Sequence, residues 1–161
     1  MRTLEKIKWF LSGIADVSLG YNEINFFQAD TLEDEQVGYS FDTAGKSLTT
    51  GQEGDWQKEW IAIASDQMGD PFIVDTSSTN LRVLSAAHGE GAWEPFIVAD
   101  NLGSFKSIIS ILNDVSKKRT NPVDLEKNPI TEKERQNALR EIEQQNPDSE
   151  LWFWENYLEN D

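Results

Sequence analysis

Between residues 60 and 109 the chain alternates short apolar runs with turn-forming residues. Trp60-Ile-Ala-Ile-Ala-Ser-Asp66 is followed by Gly69-Asp70-Pro71-Phe-Ile-Val-Asp75, then by Leu81-Arg-Val-Leu-Ser and Trp93-Glu-Pro95-Phe-Ile-Val. Runs this short, bounded by Gly, Asp, Pro and Asn, predict strands over 60–64, 72–75, 81–85 and 93–98. The links between them are too short for parallel crossovers, which need about a dozen residues, so neighbouring strands are expected to be antiparallel. The period then changes. Phe105, Ile108, Ile109 and Leu112 share one helical face, which predicts a helix over 104–115 with Ser104 as its N-cap.

Before this series, Leu4, Ile7 and Leu11 line one side of an expected helix over 3–12, widened by Trp9 and Phe10 and punctuated by Gly13 and Gly20. Ile24, Phe26 and Phe27 mark a short strand within 23–29. Val37, Tyr39 and Phe41 alternate with polar neighbours, so 36–41 reads as a half-buried strand. Residues 42–55, with Gly45, Gly51 and Gly54, read as a loop. After the 104–115 helix, Lys117-Lys-Arg-Thr-Asn-Pro122 reads as a basic linker. Thr131 and Glu134 have capping-box spacing before a helix over 134–145, and Asn146-Pro147 ends it. A last short helix over 148–159 carries Trp152, Phe153, Trp154, Tyr157 and Leu158, an apolar face that has to be buried on the domain or on a partner.

These elements predict an α+β fold: a single domain with a central, mainly antiparallel sheet and flanking helices. Residues 1–116 form its main body. Residues 117–161 supply a linker and C-terminal helices packed on the same domain. The length suits one domain with a sizeable core.

Composition narrows the chemistry. There is no cysteine, so disulfides, thiolate nucleophiles and Cys-ligated zinc are excluded, and a reducing compartment is the expectation. Glu5, Lys6 and Lys8 interrupt any secretory h-region near the start, and a cytoplasmic location is expected. The net charge is −15, and it is unevenly spread: residues 30–70 hold ten acids against two bases. Such a field repels nucleic acid and anionic lipid and favours a basic protein partner.

Candidate catalytic patterns are sparse. Gly45-Lys46-Ser47 looks like the end of a phosphate-binding loop, but Ser40 stands where that motif needs glycine, so a tight turn is the better reading. His88 is the only histidine and offers no multi-histidine metal site; a structural or interface role is expected of it, ahead of a general base beside Asp75 or Glu90. Asp66, Asp70 and Asp75 are read as turn residues, not as a cation site. No metal or other cofactor is expected. Trp60 is assigned to the core. Trp56 and Trp93, beside glycine-rich turns, are assigned to the surface.

The ordered set of Trp60 with its apolar strand to Asp66, Gly69-Asp70-Pro71, Asp75, His88-Gly89, Trp93-x-Pro95 and Ser104-Phe105 resembles the SUKH superfamily, in its Smi/Knr-like branch. Gln36-Val-Gly38-Tyr39-Ser-Phe41, Gly45-Lys-Ser-Leu48 and Gly54-Asp-Trp56 fit the same family, and the match spans residues 4–112. The resemblance implies one α+β domain with a binding role and no catalytic residue. Many members of that family are bacterial immunity proteins that neutralise toxins, and others are intracellular regulators or adaptors. It makes Trp60, Asp66, Gly69, Asp70, Pro71, Asp75 and Pro95 structural positions. Together with the acidic block, it makes Glu33, Asp34, Glu35, Asp55, Trp56, His88, Glu90 and Trp93 candidate partner contacts. The leading expectation is an immunity protein for a basic toxin. A regulatory scaffold is the second, favoured if the C-terminal aromatic helix is exposed. An enzyme using His88 is the third.

Overall fold

In the computed structural model, which describes residues 1–161, six strands follow one another as an uncrossed antiparallel meander in the order β1 to β6. They are β1 (Val17–Leu19), β2 (Asn22–Phe26), β3 (Trp60–Asp66), β4 (Pro71–Asp75), β5 (Val83–Ser85) and β6 (Phe96–Ala99). Every neighbouring pair is antiparallel, as the short links require. The fold is α+β and single-domain, with a curled sheet. Helices α1 (Thr3–Ser12), α2 (Leu102–Ser116), α3 (Pro122–Lys127), α4 (Glu132–Gln145) and α5 (Leu151–Tyr157) complete it. None is long and apolar enough to cross a membrane.

The helices cover one face of the sheet. Ile7 and Phe10 of α1, Phe105 and Ile108 of α2, Leu125 of α3, Ile142 of α4 and Trp154 of α5 share one apolar core with Val17, Ile24, Ile63, Phe72, Val74 and Val98. Phe105 stacks on Phe10 and Phe72 with ring centroids 5.9 and 5.7 Å apart. Residues 117–161 therefore belong to the same core as the rest. The C-terminal aromatic face is spent inside the domain: the Trp154 indole donates to the Val98 carbonyl at 2.8 Å, and Trp152 rests on Phe96.

Strand β4 is buried at every position because both faces of the sheet are covered. Phe72 and Val74 enter the main core, while Ile73 joins Ala62, Leu84 and Trp56 in a smaller cluster on the opposite face. A bulge in β3 between Ala62 and Ala64 sets this division. Ile63 is the extra residue, and it and Ala64 turn into the main core while Ala62 faces the smaller one.

Three expectations are corrected, and one strand is added. Residues 36–41 are not a strand. Asp34–Gln36 closes a 3-10 turn, Gly38 takes φ +89°, and its N–H bonds back to the Phe41 carbonyl at 2.8 Å. Three alternating apolar residues gave a period-two signal, but Val37 is exposed and the buried residue is Gln36. The N-cap of α2 is Asn101, three residues before Ser104. Ser104 instead completes a capping box, with Ser104 N to Asn101 Oδ1 at 2.8 Å and Asn101 N to Ser104 Oγ at 3.2 Å. Strand β1, unmarked in the sequence, forms a hairpin with β2 across Gly20 and Tyr21. Gly20 sits at φ +60°, and a side chain there would collide with Leu125.

The third correction concerns the expected linker, which is a tied segment. The Arg119 backbone carbonyl accepts from Gly20 N at 2.7 Å. Its buried guanidinium donates to the carbonyls of Val115, Asn128 and Pro129 at 3.0, 2.6 and 3.1 Å. It also forks onto both Glu134 oxygens at 2.9 and 3.0 Å. The capping box expected at Thr131 and Glu134 is present, so Glu134 serves the start of α4 and the Arg119 clamp together. The Arg119 guanidinium holds the Glu134 carboxyl at about 2, below its ordinary 4.5.

A depressed carboxyl stabilises the fold fully above its unfolded value, and the contribution is lost as pH falls towards the folded value. Glu134→Gln should therefore lower the melting temperature near neutral pH, and the gap to the parent should close between pH 4.5 and about 2. Thermal melts across that range check it. A gap independent of pH would mean that the ion pair contributes nothing.

Candidate functional site

Residues 27–59 leave the sheet after β2 and cross its second face before returning at β3. Their path depends on one side chain. Strand β2 ends at Phe26, opposite Ala64, and Phe27 N still reaches Ile63 O at 2.9 Å. One step further along β3, Ala62 has no strand beside it on this edge. The Gln36 amide takes that place: its oxygen accepts from Ala62 N at 3.0 Å and its nitrogen donates to Ala62 O at 2.8 Å and to Leu32 O at 3.0 Å. A primary amide carries a donor and an acceptor side by side, as a peptide edge does, so it extends the ladder where the backbone stops. All of this is buried.

Beyond this anchor the crossing segment lays down aromatic rings. Trp56 is 1% exposed, and its indole donates to Trp60 O at 3.2 Å. Trp60 and Trp93 stand edge-on to it, with centroids 5.5 and 5.3 Å away at 84° and 79°, and Tyr39 packs on it at 5.2 Å. The assignments made from sequence change accordingly. Trp56 is the buried hub, because the loop carrying it folds onto the sheet. Trp60 is a half-buried wall of the smaller cluster and is not part of the main core. Trp93 is half-buried, with part of its ring open. Trp93 N bonds to Gly54 O at 2.7 Å, joining the 50–57 and 86–95 loops. Gly54 allows this approach at φ +90°, with Ala92 Cβ 3.2 Å from where its own Cβ would stand.

Two concavities flank Trp93. One, of about 290 Å³, lies among Tyr39, Asp55, Trp56 and Glu90. The other, of about 720 Å³, lies among Glu53, Gln57, Trp60, Glu94 and Pro95. Asp55, Trp56, Glu90 and Trp93 are thus brought together, with His88 one residue from Gly89 of the smaller concavity. Glu33, Asp34 and Glu35 lie apart on the preceding 3-10 turn, and Glu33 is committed to Lys8 of α1 at 2.7 Å. Glu53, Glu94, Gln57, Tyr39 and Gln36 were missed. The available signal was a repeated grouping of Gly, acid and Trp, in Glu53-Gly-Asp-Trp56 and Gly91-Ala-Trp-Glu94. A third concavity of about 660 Å³ lies between α1 and the start of α2, lined by Trp9, Lys6 and Lys106. It holds none of the candidate contact residues named from the sequence.

The three aspartates are used inside turns. Asp66 Oδ1 accepts from Met68 N and Asp70 N at 2.8 and 2.9 Å, which shapes the β3–β4 turn around Gly69 at φ +86° before Pro71 starts β4. Asp75 accepts from Ser77 N at 3.0 Å and pairs with Arg82 at 2.9 Å. Asp70 Oδ1 receives both His88 N at 2.9 Å and His88 Nδ1 at 2.6 Å, so it holds the His-Gly loop. His88 has no hydrogen-bond partner except Asp70. Burial raises the Asp66 carboxyl above its usual range, and Asp70 adds to this against two backbone donors. Burial also raises the Tyr39 phenol, followed by the charges of Asp66, Asp70 and Glu35. No three His, Cys, Asp or Glu side chains converge as a metal site.

The chain matches no protein-family model, and no curated protein or solved structure is significantly similar to it.

Gln36→Leu should strand the Ala62 N–H and C=O in an apolar setting. A loss of about 2–4 kcal/mol is expected, since each unsatisfied buried group costs about 1–3 kcal/mol. Denaturant titration measures it. A change under about 0.5 kcal/mol would show that water replaces the amide freely.

Proposed function

We propose that this chain is a non-enzymatic binding module that captures a basic protein, and that it acts as an immunity protein neutralising a basic toxin. The observation that carries this reading is the groove on the second sheet face, where half-buried tryptophans are flanked by carboxylates that meet no cation of this chain. Aromatic anchors in a rigid, desolvated setting set the dissociation rate of a complex, and surrounding charge speeds encounter. The resemblance to the SUKH superfamily supports the same role. Toxins that act on nucleic acid present basic surfaces to phosphate, and an acidic inhibitor matches that charge.

Two other readings find less support. The aromatic face of α5 is packed on the core, so it offers a scaffold partner little beyond the edge of Trp152. His88 is held to Asp70, and no hydroxyl or second ring pairs with it as an activated nucleophile would.

The partner is to be captured from the source cells, identified, and its association followed by stopped flow. Reversal of Glu53, Glu90 and Glu94 to Lys should slow association by about tenfold at low salt, whereas reversal of the exposed Glu143, Glu159 and Asp161 should slow it far less. Both triple variants change the net charge equally. Rates should also fall as salt shortens the screening length to about 8 Å at physiological ionic strength. Equal slowing by both variants would remove the local-groove claim, and salt-independent association would remove the electrostatic one.

A further inference from the structure

The larger concavity has a one-sided chemistry. Its polar side chains are Glu53, Glu94 and Gln57, beside the indoles of Trp60 and Trp93. Gln57 turns its amide nitrogen to the carbonyls of Gln52 and Asp55 at 3.0 and 2.9 Å, which leaves its side-chain oxygen as an acceptor. Glu53 and Glu94 are exposed and make no ion pair within the chain. Apart from the two indole N–H groups, the side chains offer acceptors and π faces only, and no Lys, Arg or His lines the space. The rings are held in place, because Trp60 and Trp93 both pack edge-on against the buried Trp56.

A guanidinium is the complement of such a lining. It carries five donors and no acceptor, stacks on an indole face, and forks onto carboxylates. An ammonium has neither the plane nor the fork, and it holds its water more tightly. We propose that this groove is a receptor for a single arginine side chain on the partner, stacked on the indole of Trp60 or Trp93 and bound by Glu53 and Glu94. This rests on the reading that the partner is a basic protein, and it identifies which basic group enters the groove.

The probe is L-argininamide, titrated at low ionic strength into protein labelled for detection of tryptophan indole N–H signals. L-lysinamide and L-citrullinamide serve as comparisons, the latter keeping the shape without the charge. Argininamide should shift the Trp60 and Trp93 signals saturably, in the low-millimolar range, while leaving Trp154 unmoved. Lysinamide should bind several-fold more weakly and citrullinamide not measurably. The exposed double variant Glu53→Gln, Glu94→Gln should weaken argininamide by about tenfold while its Trp154 signal reports an intact fold. Equal, unsaturable shifts with argininamide and lysinamide would overturn the proposal, as would undiminished binding by the double variant. If the captured partner binds while argininamide does not, the arginine receptor fails and the binding role stands. If argininamide binds selectively but no basic partner is captured, the receptor stands and the wider reading fails.

Discussion

Two hydrogen bonds between the Gln36 amide and the Ala62 peptide determine what the second face of this sheet becomes. Strand β2 is too short to satisfy β3 along its whole length, and a buried peptide edge without partners is costly. A side-chain amide meets that need without a further strand. Because it does so at Gln36, the following chain is directed over the sheet and not away from it. Trp56 then has a surface of Ala62, Ile73 and Leu84 to bury against, and Trp60, Trp93 and Tyr39 have Trp56 to lean on. The groove is thus a consequence of how one strand edge is satisfied.

The division of the sheet into two faces follows from the same region. The β3 bulge sends Ile63 and Ala64 to the helix-covered side and leaves Ala62 facing the aromatic cluster. The helices turn their buried apolar side chains to the first face, including the C-terminal tryptophan Trp154, and leave Trp9, Val123 and Trp152 exposed. The second face is covered only by loop, and loop covering leaves ring faces open at its seams. Those open seams carry carboxylates that form no ion pair within the chain, so acidic and aromatic groups meet on this face.

How legible this was in the sequence depended on the range of the signal. Strands β3 to β6 and helices α1, α2 and α4 show in local periodicity, because each buries a continuous face. The turn roles of Asp66, Asp70 and Asp75 were legible for a related reason, since an Asx side chain bonds to the backbone a few residues away. Residues whose partners lie far along the chain were misread. Gln36 bonds a peptide 26 residues on, Arg119 gathers carbonyls from three places, and Trp56 is buried by strands that follow it. Nothing local distinguishes a polar residue that ends an exposed turn from one that completes a sheet. Of the candidate contacts, Asp55, Glu90 and Trp93 line the smaller concavity around the buried Trp56, while Glu53 and Glu94 of the larger one were passed over in favour of the denser acidic run at Glu33-Asp34-Glu35.

The central claim is that the covering of the second face is a fixed part of the fold. Native-state hydrogen exchange at the Ala62 amide and the Trp56 indole tests it most directly. Both are expected to exchange only through global unfolding, with the same protection as the Val74 amide at the centre of the sheet. Exchange at Ala62 and Trp56 that is orders of magnitude faster than at Val74 would show that the segment lifts off on its own, and that the groove is not a preformed site.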